Sequence, residues 1–321
     1  MKILVIGANG QLGWELCRRG EKQGFDMAAL DLPKFDITDP IAVNKRVSEA
    51  GVSLVINAAA YTAVDKAESE PEAAFAVNCN GPVYLASSCG KVGIPLIHIS
   101  TDYVFDGSKK RPYLETDHLC PLGVYGKSKA AGETEVRGHL HEHIILRTAW
   151  LYGIHGHNFV KTMLRLGREK EVLRVVNDQY GCPTYATDLA DAILAITAQI
   201  AKTRDITWGT YHYCGKGATT WHGFAEKIFD LARAHCPLVV KEVAPITTEQ
   251  YPTAAKRPAN SVLDCSLIAK HFGIVSLAWQ ESLARMIDLM LASGEARENN
   301  GMIDLKKGEH TLSTTKRSQN D

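Results

Sequence analysis

The chain has 321 residues, enough for about two domains at roughly 150 residues each; 45% of them are hydrophobic, and 36 cationic side chains balance 36 anionic ones. This composition supports a sizeable apolar core and excludes both a disulfide miniprotein and wholesale disorder. With zero formal net charge there is no field to hold a phosphate backbone or an anionic membrane surface, so neither nucleic acid nor a membrane is expected as a partner.

From residue 1 to about 150, short apolar runs alternate with helix-length amphipathic stretches, the pattern of β-α-β units around a parallel sheet. Strands are predicted at Lys2–Ile6, Asp26–Leu30, Leu54–Asn57, Pro95–Ser100 and Ile144–Thr148, with helices near 11–23, 39–50, 71–92 and 125–138. Asp39-Pro40 reads as an N-cap followed by proline in the first helical position, and Glu70-Pro71 repeats the device with a weaker cap. Within 71–92, Pro82 cannot donate to the carbonyl of Asn78, which predicts a kink or break. The apolar run at the N-terminus stops at Gly7, too short for a signal-peptide core, and no run approaches the about 20 residues of a membrane span. A cytoplasmic protein is therefore expected.

After residue 150 the elements become less regular. Helices are predicted near 157–170, 187–202, 221–234 and 279–292, a strand at Leu173–Val176, and a long ordered, Pro-rich loop over 245–260. The fold class is α/β: a doubly wound, Rossmann-type parallel sheet over residues 1–150, with a smaller lobe, mainly for substrate, over 151–293. Residues 294–321 are too polar to repay their ordering entropy and read as a disordered tail. The eight cysteines form no C-x-x-C pair and read as small buried or half-buried thiols; His139-x-His141-x-His143 reads as a solvated loop.

Two constellations carry chemistry. The first is Gly7-Ala-Asn-Gly10-Gln11-Leu12-Gly13, after the first strand and opening the first helix, where glycines permit a tight turn and a pyrophosphate can sit on free helix amides. Asp31, at the end of the second strand, is placed to accept hydrogen bonds from ribose hydroxyls and to favour NADH over NADPH, with Lys34 nearby to soften that preference; its alternative is a turn residue before Pro33. Asp36 and Ile37 would flank the adenine. The second is Tyr125-Gly-Lys-Ser-Lys129, whose spacing puts both side chains on one helix face, behind Ser100-Thr101-Asp102 at a strand end. Ketone reduction needs an acid for the developing alkoxide, and Lys129 beside the phenol would lower the Tyr125 pKa and hold the nicotinamide ribose, while the Thr101 hydroxyl bonds the substrate oxygen. An ordinary helix surface is the alternative.

With Asn57-Ala-Ala-Ala60 after the third strand, these motifs resemble the extended short-chain dehydrogenase/reductases. The strings Thr62-Ala-Val-Asp65-Lys-Ala-Glu68, Arg147-Thr-Ala-Trp150, Asn158-Phe-Val-Lys-Thr-Met-Leu-Arg165, Asn177-Asp-Gln-Tyr-Gly-Cys-Pro-Thr184 and Lys256-Arg-Pro-Ala-Asn-Ser261 resemble the dTDP-4-dehydrorhamnose reductases within them, over roughly 1–292. The resemblance implies NADH- or NADPH-dependent reduction of the C4 ketone of a dTDP-4-dehydro-6-deoxy-sugar, the closing step of dTDP-L-rhamnose synthesis. It implies that Gly10, Gln11, Leu12, Asp31, Asp36, Ile37, Ala60, Tyr61 and Thr62 contact the cofactor. It places Thr101, Asp102 and Trp150 on the sugar with Val64 nearby, and makes Tyr125 the proton donor. Trp150 has a core aromatic as its alternative. Arg257 is read from its planar fork and its place in the Pro-rich loop as a ligand of the diphosphate, against an ordinary surface arginine. The resemblance also brings magnesium (Mg2+), bridged by acidic side chains at the contact of a homodimer. Glu15 matches that pattern, whereas Thr187 stands where a second acid is wanted, with Asp188 beside it. A regulatory subunit of the methionine adenosyltransferase type, or another NAD-dependent sugar-nucleotide reductase or epimerase, are the alternative readings.

Overall fold

The computed structural model describes residues 1–49, 51–203 and 205–292; the polar tail expected over 294–321 lies outside the described residues. In chain order the elements are β1 (Lys2–Ile6), α1 (Gln11–Lys22), β2 (Asp26–Leu30), α2 (Pro40–Val47), β3 (Val52–Asn57), α3 (Val64–Ala67), α4 (Pro71–Phe75), α5 (Gly81–Val92), β4 (Leu96–Thr101), α6 (Val124–His139) and β5 (His143–Thr148). There follow β6 (Leu151–Tyr152), α7 (Phe159–Glu169), β7 (Val172–Val176), β8 (Tyr180–Gly181), β9 (Thr184–Tyr185), α8 (Ala186–Lys202), β10 (Gly209–His212), β11 (Thr219–Thr220), α9 (Trp221–Ala232), β12 (Glu242–Ile246), α10 (Ser266–Phe272) and α11 (Trp279–Ala292).

Six strands form one sheet in the order β10-β5-β4-β3-β1-β2, with all the pairings parallel. From β1 the chain first winds outward to β2 and then returns past β1 to β3, so the order reverses between β1 and β3, where doubly wound sheets open a crevice for ligands. One face is covered by α1, α8 and α10, where Leu12 and Leu16 meet Leu189 and Ile193; the other is covered by α2, α5 and α6 through Val43, Leu85 and Val136. Both faces are buried, so these strands read as continuous apolar runs rather than alternating ones. Sequence patterning did not show that the chain returns to this sheet after residue 150: β10 adds the sixth strand beside β5, and α8 packs on α1 with Arg19 bonded to Asp191. A second core joins α7, α9 and α11 through Val160, Leu164, Phe224, Ile228, Leu283 and Ile287. It is edged by the parallel pair β7–β12, which takes Pro245 into a strand rather than the loop expected over 245–260.

Local signals explain the helix ends. The Asp39 carboxylate accepts from the amides of Ile41 (2.9 Å) and Ala42 (3.1 Å) with Pro40 in the first turn, whereas Glu70 makes no side-chain cap before Pro71. The break expected at Gly81-Pro82 takes the form of a π-helical turn, Ala76–Asn80, between α4 and α5. It is used structurally: α6 packs so tightly there that a Cβ on Gly132 would overlap the Asn78 carbonyl oxygen. Seven of the cysteines are buried or half-buried and free, but Cys120 is exposed, contrary to expectation. The histidine string also departs from a solvated loop. His139 and His141 are exposed, whereas His143 is the buried first residue of β5, its Nδ1 2.6 Å from the Leu140 carbonyl.

Candidate active site

The turn leaving β1 is built by glycines with separate tasks. Gly7 sits at φ +82°, and a Cβ there would come within 2.5 Å of the Ala59 amide nitrogen; one on Gly13 would lie 2.7 Å from Ala8 Cα. Both are packing glycines. Gly10 caps α1 with no side-chain bond, is exposed, and a Cβ on it meets only the Gly7 oxygen at 3.3 Å. The first turn of α1 thus presents amides with no capping side chain beside an open approach, which fits a pyrophosphate. Gln11 is half-buried, its side chain bonded by Asn158 (3.0 Å), while Leu12 is buried in the core and has only its backbone to offer.

Asp31 follows β2 and accepts from the Asn9 amide at 2.7 Å, so the carboxylate stands directly beside the glycine turn. The segment after β3 starts against the same turn, with the Ala58 and Ala59 backbone facing Gly7; beyond it Ala60 and Tyr61 are half-buried and Thr62 is exposed. The side chain of Asn78 brackets Tyr61, accepting from its amide at 2.9 Å and donating to its carbonyl at 3.1 Å. Asp36 spends its carboxylate on Thr38 at 2.8 Å, closing a local turn, and Ile37 is buried against Gly81. The side chain of Ile37 is therefore core, and only its backbone can flank an adenine.

At the carboxyl end of β4, Thr101 and Asp102 meet Tyr125 and Lys129 of α6, all four buried. Thr101 donates to the Asp102 carboxylate at 2.9 Å, and its hydroxyl also reaches the Tyr125 phenol. The Lys129 amine donates to the Ile99 carbonyl at 2.6 Å. Burial pushes the phenol up to about 12 and the amine down to about 8. The expected lowering of the Tyr125 pKa by Lys129 is thus corrected: desolvation of the phenol, with the Asp102 carboxylate nearby, outweighs the Thr101 hydroxyl that favours the phenolate, and the Lys129 amine is directed at a backbone carbonyl instead. The same desolvation raises the Asp102 carboxyl to about 6, and its Oδ2 accepts no hydrogen bond of good geometry, although the Ser261 hydroxyl lies close enough to oppose the rise. Val64 packs with Tyr61, Tyr103 and Tyr125 in one small cluster.

Trp150, between β5 and β6, adopts φ +46°, a conformation that costs a bulky residue on the order of 1–3 kcal/mol. Its ring stacks on Trp221, centroids 3.6 Å apart and planes within 6°, and its Nε1 would lie 2.5 Å from a Cβ on Gly181. The ring is held by both lobes and only half-buried, so part of it faces outward. Nothing in the sequence pointed to Trp221, 71 residues on. Arg257 is bonded twice to Asp65, at 2.9 and 2.7 Å, and once to the Ala255 carbonyl. Two of its five N–H donors stay available, so it is neither a free surface arginine nor a dedicated anion ligand. It lines a cleft with Asp106, Ser108, Leu122, Tyr251 and Lys256.

The magnesium pattern is not reproduced within one chain. Glu15 is buried and paired with Arg18 at 2.9 Å, Thr187 brings a hydroxyl, and Asp188 is taken by Ser282 and Arg285. Among the described residues no group of three or more His, Cys, Asp or Glu could hold a metal, and none of the helices is long and apolar enough to cross a membrane.

Known proteins of the same kind share this whole architecture. The chain is 45% identical over 284 residues to the dTDP-4-dehydrorhamnose reductase of Aggregatibacter actinomycetemcomitans, covering 88% of this chain and 97% of that one. A crystal structure of a dTDP-4-dehydrorhamnose reductase from Clostridium acetobutylicum superposes with a TM-score of 0.84 at 43% identity, covering 90% and 99% of the two chains. The dTDP-4-dehydrorhamnose reductase of Bacillus anthracis, solved in complex with NADP, gives 0.82 at 38% identity over 89% and 98%. Residues 1–292 match the family described as RmlD substrate binding domain, and the chain belongs to that family.

Proposed function

We propose that this protein reduces the C4 ketone of dTDP-4-dehydrorhamnose to give dTDP-L-rhamnose, using NADH or NADPH. The observation that carries this reading is the buried set Thr101, Tyr125 and Lys129 at the carboxyl edge of the sheet, one crevice away from the glycine turn and Asp31. The relatives named dTDP-4-dehydrorhamnose reductase supply the substrate class. Gly10, Gln11 and the backbone of Leu12 would take the pyrophosphate, and Asp31 the adenosine ribose. Ala60, Tyr61 and Thr62 would line the path toward the nicotinamide. Bound there, the reduced nicotinamide supplies the hydride.

The protein's own task is the proton. At neutral pH the phenol of Tyr125 is fully protonated, because burial holds its pKa near 12, so it is a loaded donor for the C4 oxygen as that oxygen becomes an alkoxide. Thr101 offers its hydroxyl to the same oxygen. Lys129, a cation at neutral pH, stabilises the phenolate left behind and can bond a ribose hydroxyl. Asp102 and the outward part of Trp150 would orient the sugar, and Arg257 would use its remaining donors on the diphosphate. The partners in this reading are the cofactor and the sugar nucleotide, and the setting is the cytoplasm.

The deciding experiment follows cofactor absorbance with dTDP-4-dehydrorhamnose against UDP- and GDP-linked ketosugars. Preferential turnover of the dTDP sugar is expected. Turnover of another ketosugar in its place would reassign the substrate, and no turnover with any of them would remove the enzyme reading in favour of a partner-binding protein.

A further inference from the structure

Tyr125, Lys129 and Glu133 stand one turn apart on a single face of α6, at 9, 2 and 0% exposure. The chemistry above uses the first two and leaves the third unexplained. A buried carboxylate persists only when paired and fully hydrogen-bonded, and Glu133 is both. Its Oε1 accepts from the Ser100 hydroxyl at 2.6 Å and from Arg147 Nε at 2.8 Å; its Oε2 accepts from Arg147 Nη2 at 2.7 Å and Arg137 Nη2 at 2.6 Å. Arg147 is locked in turn, its Nη1 donating to His212 Nε2 at 3.2 Å and its guanidinium lying over the Phe105 ring. Consequently one face of α6 is fastened to two successive residues of β4, Lys129 to Ile99 and Glu133 to Ser100, directly before Thr101.

We propose that Glu133 is a positioning residue for the Tyr125/Lys129 pair: it supplies the counter-charge that keeps the buried Lys129 amine an ammonium, and through Ser100 it fixes the strand end that carries Thr101. The catalytic meaning of this role rests on the reductase reading above. Burial draws the Lys129 amine down to about 8, and Glu133 is the group that opposes the fall. The other charged or titratable groups around this face are His98 of β4 and His212 of β10, both held neutral by burial, His143 and Arg147 of β5, Arg137 of α6, and Asp102 beyond β4. Two guanidiniums already sit on Glu133, so its field at Lys129 is partly cancelled. Removing Glu133 and removing Arg137 should therefore act on Lys129 with opposite signs.

The test is 13C NMR of protein labelled at lysine Cε, with the Lys129 resonance assigned by its loss in Lys129→Arg. A titration near pH 8 is expected in the parent protein, well apart from ordinary lysines near 10.4. Glu133→Gln should lower that midpoint by about one pH unit, and Arg137→Gln should raise it by a few tenths. The alkaline limb of kcat/KM should move in the same two directions. A Lys129 midpoint that Glu133→Gln leaves unmoved would reduce Glu133 to a structural clamp and overturn the proposal. Should Glu133→Gln, which strands Arg147, fail to fold, Glu133→Asp, which keeps the charge but withdraws it from Lys129 by one methylene, takes its place: a midpoint lowered by a few tenths is expected, and an unmoved one overturns the proposal. The titration needs no turnover, so it stands or falls separately from the assignment of the substrate.

Discussion

Adding one methyl group to the glycine turn should have opposite consequences at two positions three residues apart. On Gly13 the new carbon would sit 2.7 Å from Ala8 Cα and from the Gly7 carbonyl carbon, with the Gly7 oxygen closer still. All are backbone atoms. The turn cannot retreat, because Gly7 is itself pressed on the backbone of Ala58 and Ala59 after β3. Overpacking of this kind costs about 1–3 kcal/mol, and contact with rigid backbone places it at the upper end; alanine's helix preference over glycine returns about 1 kcal/mol. A net loss of about 2 kcal/mol corresponds to a Tm lower by roughly 4–8 °C at about 2–4 °C per kcal/mol. On Gly10 the same methyl group meets one atom at 3.3 Å and points into the open approach. Gly10→Ala should cost no more than about 1 kcal/mol, the usual penalty for a poor N-cap, yet weaken cofactor binding sharply. Calorimetric melting of both variants, with NADH and NADPH titrated into each, separates the two roles. A Gly13→Ala protein that melts with the parent, or a Gly10→Ala protein that binds cofactor unchanged, would refute the division into packing and approach glycines.

Tyr125→Phe should lower kcat by about 10²–10⁴ with cofactor affinity nearly intact, measured by single-turnover kinetics and cofactor titration; parental turnover would mean that the proton comes from elsewhere. Asp31→Ala should shift the ratio of kcat/KM values toward NADPH by removing a carboxylate that opposes a 2′-phosphate, and an unchanged ratio would leave Asp31 as a support for the Asn9 amide alone. Asp102→Asn addresses pH. Burial raises that carboxyl from 3.8 to about 6, so the folded state binds the extra proton and the native Asp102 loses stability as pH climbs from about 4 to about 6. The asparagine variant lacks this loss and should be more stable by roughly 2–3 kcal/mol above pH 7, equal to the parent below pH 4, and impaired in turnover. Denaturant melts at pH 4 and pH 8 that show the same difference between the two proteins would contradict the assignment.

Much of the frame is legible from short-range spacing. β1 and β2 fall on the predicted residues, α6 and α7 within two, because apolar period and capping chemistry act over a few positions: Asp39 with Pro40, Asn158 on the Lys161 amide. The glycine turn and the Tyr125/Lys129 row are legible for the same reason, since both are defined by steps of three or four residues. What sequence spacing cannot carry is burial and pairing across long separations. The sixth strand of the sheet, the Arg257–Asp65 pair and the stacking of Trp150 on Trp221 join segments that have no local signal for one another. Glu133 carries no local signal at all: only the tertiary fold brings Ser100 of β4 and Arg147 of β5 onto it. The sign of the Tyr125 shift was decided in the same way. Proximity to Lys129 is a matter of helical spacing, but exclusion of water from the phenol depends on what the tertiary fold packs around it, and in this protein desolvation is the larger effect.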